Sequence, residues 1–280
     1  MRTRVVFNQK GGVGKSSITV NLAAISAHQG LKTLVIDLDP QANSSQYLLG
    51  DDATYSADKP ALEPNIENYF EEVLGTQQSK GLLGNAIGSI LKNRSKGLDS
   101  YVHQSPFKNL DVIPASPSLG ALAYALESKH KIYKLRDALQ QLSGKYERVF
   151  IDTPPAFNFF TLSALIASDR VLIPFDCDDF SRRALYTLLD NLQEIRADHN
   201  AGLQLEGIVV NQFQPRAALP AKLVAELAAE GMPMLNARLS SSVKIRESHQ
   251  TSLPMVHLDP KHKLSREYTA LYQELSQRGQ

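Results

Sequence analysis

The sequence predicts an α/β fold, a doubly wound, mostly parallel sheet flanked by helices. Two observations lead to this prediction. Short β-branched runs alternate with longer segments of helical periodicity, the order in which helical crossovers join parallel strands. Several of these runs are almost entirely apolar, as expected for strands that helices cover on both faces. We expect a single domain over residues 1–280, with a surface insertion at about 51–108.

The predicted strands follow one another along the whole chain. In order they are RVVFN (4–8), TLVIDLD (33–39), LDVIPA (110–115), RVFIDTP (148–154), RVLIPFD (170–176) and EGIVVNQ (206–212). Helical patterns follow most of them, over 16–28, 134–142 and 182–195.

The segment 51–108 interrupts this alternation. Polar and glycine-rich stretches there surround IENYFEEVL and GLLGNAIGSILKNRSKG, so we expect one or two helices at the surface. The basic residues Lys92, Arg94 and Lys96 form either a solvated face or a contact for nucleic acid or a partner.

Composition limits the class of protein. The 280 residues can bury a sizeable core, and no apolar run approaches the roughly 18 residues of a membrane span. The start, MRTRVVFNQK, lacks the apolar segment of a secretory signal, so we expect a cytoplasmic protein. One cysteine, Cys177, and scattered histidines predict no internal disulfide, structural metal or iron–sulfur cluster. A net charge of +1 leaves any nucleic-acid binding to a local patch.

The stretch QKGGVGKSS (9–17) follows a predicted strand and opens a predicted helix, the context of a phosphate-binding loop. Helix N–H groups would face the phosphates, Lys15 would neutralise the outer phosphates, and Ser16 would ligate Mg²⁺. We expect nucleotide contacts from Gly11, Gly12, Val13, Gly14, Lys15, Ser16 and Ser17. The loop departs from the common form because Gln9 replaces the first glycine and Lys10 is an additional lysine. The alternative is a glycine turn with exposed lysines.

Aspartates end two of the predicted strands. Asp37 and Asp39 end the second strand and Asp152 ends another, and open α/β sheets bind ligands at these carboxyl ends. Asp152 follows four largely apolar residues and is expected to hold Mg²⁺ through water. Asp37 is expected near the metal, and Asp39 is a candidate for orienting the attacking water. Each aspartate alone could be a strand-end cap.

These motifs resemble those of ParA-type ATPases in the deviant-Walker ParA/MinD superfamily of P-loop NTPases. The resemblance runs nearly end to end and is carried by NQKGGVGKSS, VIDLDPQAN, LDVIPASPSL, RVFIDTPPAFNFFTLSALIASDRVLIPFDCD, GIVVNQFQPR and PMVHLDPKHKLSREY. It implies that Lys10 reaches across a dimer interface to the partner subunit's nucleotide, and that Asn211 contacts adenine. It also implies catalytic roles for Lys10, Lys15, Asp39 and Asp152. By chemistry alone, Lys10 is either a second cation at the triphosphate or an exposed lysine.

In this family, ATP-bound dimers bind DNA nonspecifically through basic residues near the carboxyl end. The resemblance places this role on Arg216 and Lys244, with Arg246, Lys261 and Lys263 as neighbours. Lysine and arginine contacts to phosphates are salt-sensitive and carry no base information. The same residues are also consistent with a solvated basic face. The segment LNARLSSSVKIRES lacks the proline-arginine pair usual before this basic run.

Other relatives fit less well. MinD-like proteins end in a basic amphipathic helix that binds membranes, whereas SREYTALYQELSQRGQ carries Glu267 and Glu274 and little bulky apolar surface. A nitrogenase-iron-protein-like reductase is excluded because it needs two cysteines per subunit and this chain has one. A metabolic ATP-dependent ligase stays open, favoured by the near-neutral charge and opposed by the basic cluster. A non-enzymatic nucleotide-binding scaffold is disfavoured by the loop, the additional lysine and the aspartates together.

The resemblance thus implies a slow ATPase that uses ATP and Mg²⁺, forms a homodimer with ATP, and associates with the nucleoid rather than a membrane. A ParB-like or cargo-adaptor protein would stimulate hydrolysis and release it from DNA, in the service of DNA segregation or cargo positioning. Only nine residues precede Lys10, so we expect the short form without an N-terminal DNA-reading domain. The cargo stays open between a plasmid, a chromosome locus and a protein assembly.

Overall fold

Eight strands form one sheet in the computed structural model, which describes residues 1–53, 59–75, 96–177, 181–214 and 218–278. The strands are β1 (Arg2–Val6), β2 (Thr33–Asp37), β3 (His103–Gln104), β4 (Leu110–Ile113), β5 (Arg148–Asp152), β6 (Arg170–Asp176), β7 (Gln204–Phe213) and β8 (Met234–Ser240). They are ordered β3-β4-β2-β5-β1-β6-β7-β8, and every neighbouring pair is parallel except β3 with β4. The predicted doubly wound, mostly parallel sheet is confirmed.

Helices cover both faces of this sheet. They are α1 (Lys15–His28), α2 (Asn43–Leu49), α3 (Ile66–Leu74), α4 (Ala123–Ser128), α5 (Lys134–Gln141), α6 (Phe159–Ile166), α7 (Ser181–Asp198), α8 (Ala218–Ala229), α9 (Lys244–Gln250), α10 (Met255–Leu258) and α11 (Lys263–Arg278). Alternate strand residues enter two separate cores, so that Val5 packs with α3, α5, α6 and α7 whereas Val6 packs with α1 and α11. Among the described residues, no helix combines the length and apolarity that a membrane span needs.

The observed strands coincide with the predicted ones, but their ends differ. The first is Arg2–Val6 rather than 4–8 because Asn8 leaves the sheet. The Asn8 amide donates to the carbonyl of Pro174 at 2.7 Å, and the Asn8 side-chain oxygen accepts from the Lys10 N–H at 2.9 Å. The loop therefore begins inside the polar end of the predicted strand.

Two strands have no counterpart among those predicted. β3 has only 2 residues, too few to establish a period. β8 lies at the edge of the sheet and alternates, with Leu235 and Leu239 buried and Asn236 exposed. The sequence pattern does not predict this strand because several of its residues are polar. An edge strand does not need the continuous apolar run of a central strand.

The expected surface insertion at 51–108 differs from the structure in its described parts. α3 places Ile66 and Phe70 in the main core, and Leu98 and Tyr101 are buried in the same cluster. The apolar side of the amphipathic helix IENYFEEVL packs on one face of the sheet, so this part of the segment contributes to the core. Most of the second expected helix, with Lys92 and Arg94, lies outside the described residues.

A buried ion pair joins Arg4 of β1 to Glu206 of β7 across β6, near the amino ends of these strands. The Arg4 guanidinium donates from Nε and Nη2 to the Glu206 carboxylate, the latter bond being 2.6 Å long, and the two side chains are 4% and 0% exposed. The guanidinium also lies over the Phe150 ring, 5.3 Å from its centroid. Removal of either charge would leave its partner uncompensated in the core.

Glu206→Gln is expected to lower the free energy of unfolding by about 3–5 kcal/mol, because the Arg4 charge stays buried without its counterion. The measurement is urea denaturation followed by circular dichroism. Glu226→Gln removes the same charge from a pair with Arg182 in which the glutamate is 41% exposed, and it should change stability by less than about 1 kcal/mol. Equal effects of the two substitutions would contradict the importance of the buried pair.

Candidate functional site

The glycine loop joins β1 to α1 at the carboxyl edge of the sheet. Gly12 and Gly14 have φ values of 76° and 86°, in the left-handed region that favours glycine, and Gly14 caps α1. A Cβ atom at Gly14 would lie 2.3 Å from Nδ2 of Asn211, so a side chain at this position would have to displace the Asn211 amide. The loop therefore presents the start of α1 to the space beyond the sheet, as an anion-binding helix terminus does.

Lys15 begins α1 and points back into the site. Its side chain is largely buried, and Nζ donates to the Lys10 carbonyl at 3.1 Å. Burial lowers the pKa of Lys15, while the carboxylates of Asp152 and Asp39 oppose that effect. The structure thus brings together the lysine and two of the three predicted aspartates.

Asp37 and Asp152 lie side by side at the ends of β2 and β5, and both are fully buried. Burial raises the pKa of Asp37 well above its ordinary value, and the neighbouring Asp152 raises it further. The Asp37 carboxylate accepts from the N–H of Ser45 at 2.8 Å, from its hydroxyl at 2.7 Å and from the Asp39 N–H at 3.1 Å. These bonds fasten the first turn of α2 to the end of β2.

Asp152 is held by hydroxyl groups from two helices. It accepts from Ser44 Oγ of α2 at 2.7 Å and from Ser16 of α1, and the Thr153 N–H donates to it at 3.0 Å. Burial raises the pKa of Asp152 to about 6, against the opposing effect of the serine hydrogen bonds. Ser16 and Asp152, which are both expected at a Mg²⁺ site, are therefore adjacent in the structure.

Asp39, rather than Asp37, reaches the open part of the site. It lines a cavity of about 520 Å³, and its Oδ1 accepts from the Gln41 N–H at 3.0 Å. The cavity is lined by Gly11, Gly12, Gly14, Lys15, Ser16, Ser17, Asp39, Gln41, Asn43, Gln46, Tyr47, Pro155 and His249. Asp37 does not line this cavity, because its oxygens accept from Ser45 of α2 and from the Asp39 N–H, and its expected place near a metal stays a prediction.

The donors at the cavity fit Mg²⁺ better than a metal held by protein alone. Among the described residues, no group of three or more His, Cys, Asp or Glu side chains could hold a metal ion. Mg²⁺ is usually bound by one or two carboxylates with phosphates and water. The Ser16 hydroxyl, with Asp39 at the cavity and Asp152 behind Ser16, is a donor set of that kind.

Asn211 and Gln212, at the end of β7, brace the glycine loop from the side. The Asn211 amide donates to the Val13 carbonyl at 2.9 Å, and the Gln212 amide donates to the Gly12 carbonyl at 3.0 Å. The sequence alone predicts a strand-end cap at Asn211, and the resemblance implies an adenine contact. The role of Gln212 has no sequence signal apart from its place next to Asn211.

Lys10 lies on the outer side of the loop. Its Nζ is 3.4 Å from Asp176 Oδ2 at the end of β6, and each of these side chains is about one third exposed. The ammonium group is therefore partly open to solvent beside the loop, and it does not line the cavity of its own chain.

Among the basic residues expected to contact DNA, Lys244 and Arg246 lie on α9, and Lys261 and Lys263 lie just before and at the start of α11. Lys244 Nζ pairs with Glu247 at 2.9 Å, and Lys263 Nζ pairs with Glu267 at 3.5 Å. Arg246 and Lys261 are exposed, and Arg216 lies outside the described residues. The acidic neighbours reduce the net charge of this face.

Sequence reasoning missed the part of the cavity formed by Gln46, Tyr47 and His249. His249 Nε2 lies 2.9 Å from Ser17 Oγ, and its ring contacts the Tyr47 ring edge-on, with the centroids 4.6 Å apart. These residues come from α2 and α9, far apart in sequence, and no local motif marks them.

A protein family, full-length relatives and a solved structure are all similar to this chain. The family described as AAA domain matches residues 1–205. The chain is 30% identical to the chromosome partitioning protein ParA of Myxococcus xanthus, over 98% of this chain and 87% of that protein. It is 28% identical to the chromosome-partitioning ATPase Soj of Treponema pallidum, over 98% and 96%. Cobyrinic acid a,c-diamide synthase of Mycobacterium smegmatis, solved with an ATP analogue and magnesium, shares the fold, with a TM-score of 0.77, 23% identity and coverage of 100% and 96%.

Gly14→Ala is expected to lower the free energy of unfolding by at least about 1–2 kcal/mol, because φ at this position is left-handed and the new methyl group would displace Asn211. The measurement is urea denaturation. Gly11→Ala is the matched control, since a Cβ there meets nothing within 4 Å and φ is not positive. A Gly14→Ala protein as stable as the Gly11→Ala protein would contradict the described loop conformation.

Proposed function

The chain belongs to the ParA-type ATPases of the AAA-domain family, and we propose that it binds ATP with Mg²⁺, dimerises around the nucleotide and holds nonspecific DNA until hydrolysis releases it. One observation carries this proposal: Lys15, Ser16 and Asp39 line a single cavity at the start of α1, with Asp152 bonded to Ser16 behind them. A cation, a hydroxyl and a carboxylate beside exposed helix N–H groups are the parts that phosphoryl transfer uses.

The roles follow from position. Lys15, largely desolvated, interacts strongly with phosphate oxygens because little water screens its charge. Ser16 and the carboxylates would hold Mg²⁺, which neutralises charge on the phosphates when it is bound. Asp39 at the cavity wall is suited to orient the attacking water, whereas Asp37 keeps α2 in place. Asn211 braces the loop by donating to the Val13 carbonyl, and the adenine contact that the resemblance implies is part of this proposal.

Dimerisation would give Lys10 its function. It lies outside its own cavity, next to Asp176 on the rim, so it can reach phosphates bound by a second subunit. The nucleotide would then be part of the dimer interface, and ATP would shift the population from monomer to dimer because it binds the dimer more tightly.

DNA binding is the proposed output of the dimer. Two copies double the number of basic residues available from Lys244, Arg246, Lys261, Lys263 and Arg216. A ParB-like or cargo-adaptor protein would stimulate slow hydrolysis, so that the chain alternates between a DNA-bound nucleoid pool and a free cytoplasmic pool. The cycle would serve DNA segregation or the positioning of another cargo.

A metabolic ATP-dependent enzyme is the second candidate. The fold similarity to the diamide synthase over the whole chain favours it, as does the pairing of Lys244 and Lys263 with glutamates. A MinD-like membrane role is less well supported, since α11 buries Leu264, Tyr268, Leu271 and Leu275 against the sheet.

The proposed function is tested by binding to nonspecific duplex DNA with ATP, ADP or no nucleotide, while ATP hydrolysis is measured in parallel. We expect binding only with ATP, weakening about 100-fold between 50 and 200 mM salt for about four phosphate contacts. Lys244→Ala and Arg246→Ala should each weaken binding and reduce the salt slope by about 1. Lys222→Ala, a 73% exposed lysine on α8, is the matched control. Hydrolysis without DNA binding in any nucleotide state would favour the metabolic enzyme.

Lys10→Ala is expected to weaken ATP-dependent dimerisation by at least about 10-fold, because it removes a cation that would contact the partner's triphosphate. Light scattering coupled to size-exclusion chromatography, with and without ATP, measures the dimer fraction. Lys32→Ala removes an exposed lysine at the opposite edge of the sheet and should leave the dimer intact. An unchanged dimer in the Lys10→Ala protein would remove Lys10 from the interface.

A further inference from the structure

A polar network fastens the helix that carries Lys244 and Arg246 to the phosphate loop. Ser17, on the first turn of α1 and in the cavity wall, has its Oγ 2.9 Å from His249 Nε2 on α9. His249 itself lines the cavity, with its ring against the buried Tyr47. One hydrogen bond therefore joins the first turn of α1, next to the glycine loop, to the helix that bears the expected DNA contacts.

The Ser17–His249 bond itself is exposed, and buried hydrogen bonds behind it hold the same helices together. The Tyr47 hydroxyl contacts Ser248 Oγ, and Asn21 of α1 donates from Nδ2 to that hydroxyl at 3.3 Å and to the Ser17 carbonyl at 2.8 Å. Asn21 Oδ1 accepts from the N–H of Met255, the first residue of α10, at 2.8 Å. Asn21, Tyr47 and Ser248 are all buried, so water competes little with these bonds.

The chemistry of Ser17 and His249 makes their bond sensitive to phosphate. Burial lowers the pKa of His249, which favours the neutral ring with one N–H and one acceptor nitrogen. In the absence of phosphate, either partner can donate. A phosphate group offers only acceptors, so a Ser17 hydroxyl that bonds to it has used its single proton. His249 Nε2–H must then be the donor to Ser17 Oγ, and the bond has one direction.

We propose that His249 is a positioning residue that couples phosphate occupancy of the loop to the order of α9, and so to the DNA affinity of Lys244 and Arg246. The part concerning DNA rests on the proposed function, whereas the coupling of the loop to α9 does not. Tyr47 and Asn21 fix the two helices, and the Ser17–His249 bond is the element that changes when phosphate arrives.

The test measures amide hydrogen exchange of residues 244–250 in two conditions. One contains Mg-ATP at saturating concentration, and the other contains EDTA and no nucleotide. The variants are His249→Ala, His249→Gln, whose amide keeps a donor near the Nε2 position, and the control Gln250→Ala, an exposed neighbour on α9. In the native protein and the control, ATP should slow exchange by about 5-fold or more. His249→Ala should abolish this slowing, and His249→Gln should restore it.

Three results would overturn the coupling: no effect of ATP on α9 in the native protein, an unchanged effect in His249→Ala, or no restoration by His249→Gln. The same proteins are then assayed for DNA binding with ATP and ADP. His249→Ala should reduce the ATP-to-ADP affinity ratio to below about 2-fold if DNA binding is the output. If exchange behaves as expected but the native protein binds no DNA in any state, the coupling stands and the proposed function fails.

Discussion

Two carboxylates buried side by side impose the main constraint on this structure. Asp37 and Asp152 are direct neighbours on parallel strands, and each is removed from water. Like charges on neighbouring carboxylates repel each other, and burial disfavours ionisation of both. The fold tolerates the pair because Ser44 and Ser45 place two hydroxyls on them from the first turn of α2. The position of α2, and hence of the cavity wall, depends on these contacts.

The glycine loop is built around the same carboxyl edge. Lys15 turns inward toward Asp152 and Asp39, so its charge partly compensates the acidic pair. Ser16 donates to Asp152, which orients the start of α1 against the end of β5. On the other side, Asn211 holds the loop through the Val13 carbonyl. Strands from both halves of the sheet therefore fix one loop, and the site is preorganised before a ligand arrives.

Under the proposed function, this arrangement would let a nucleotide act as a switch without a large change of fold. The phosphates would meet groups already in place, so binding energy is available for rearranging attached elements rather than for building the site. The elements attached to the cavity are α2 and α9, through Tyr47 and His249. In the proposed function, the exposed residues of α9 are the surface that would engage an anionic polymer.

The sequence by itself determined the central strands, the loop and the acidic strand ends, because these depend on local periodicity and on short motifs. Lys15, Ser16 and Asp39 could be placed in one site because carboxyl ends of parallel strands share an edge. It did not reveal β8, whose polar residues suit an edge strand, and it placed the helix with Ile66 and Phe70 in a surface insertion although both residues are buried in the core. That Asp39 lines the cavity while Asp37 bonds to α2, and that His249 lies at the phosphate loop, was decided only by tertiary packing. A strand-end aspartate reaches a ligand or a helix according to which element packs against it, and residues separated by 232 positions, such as Ser17 and His249, leave no local pattern.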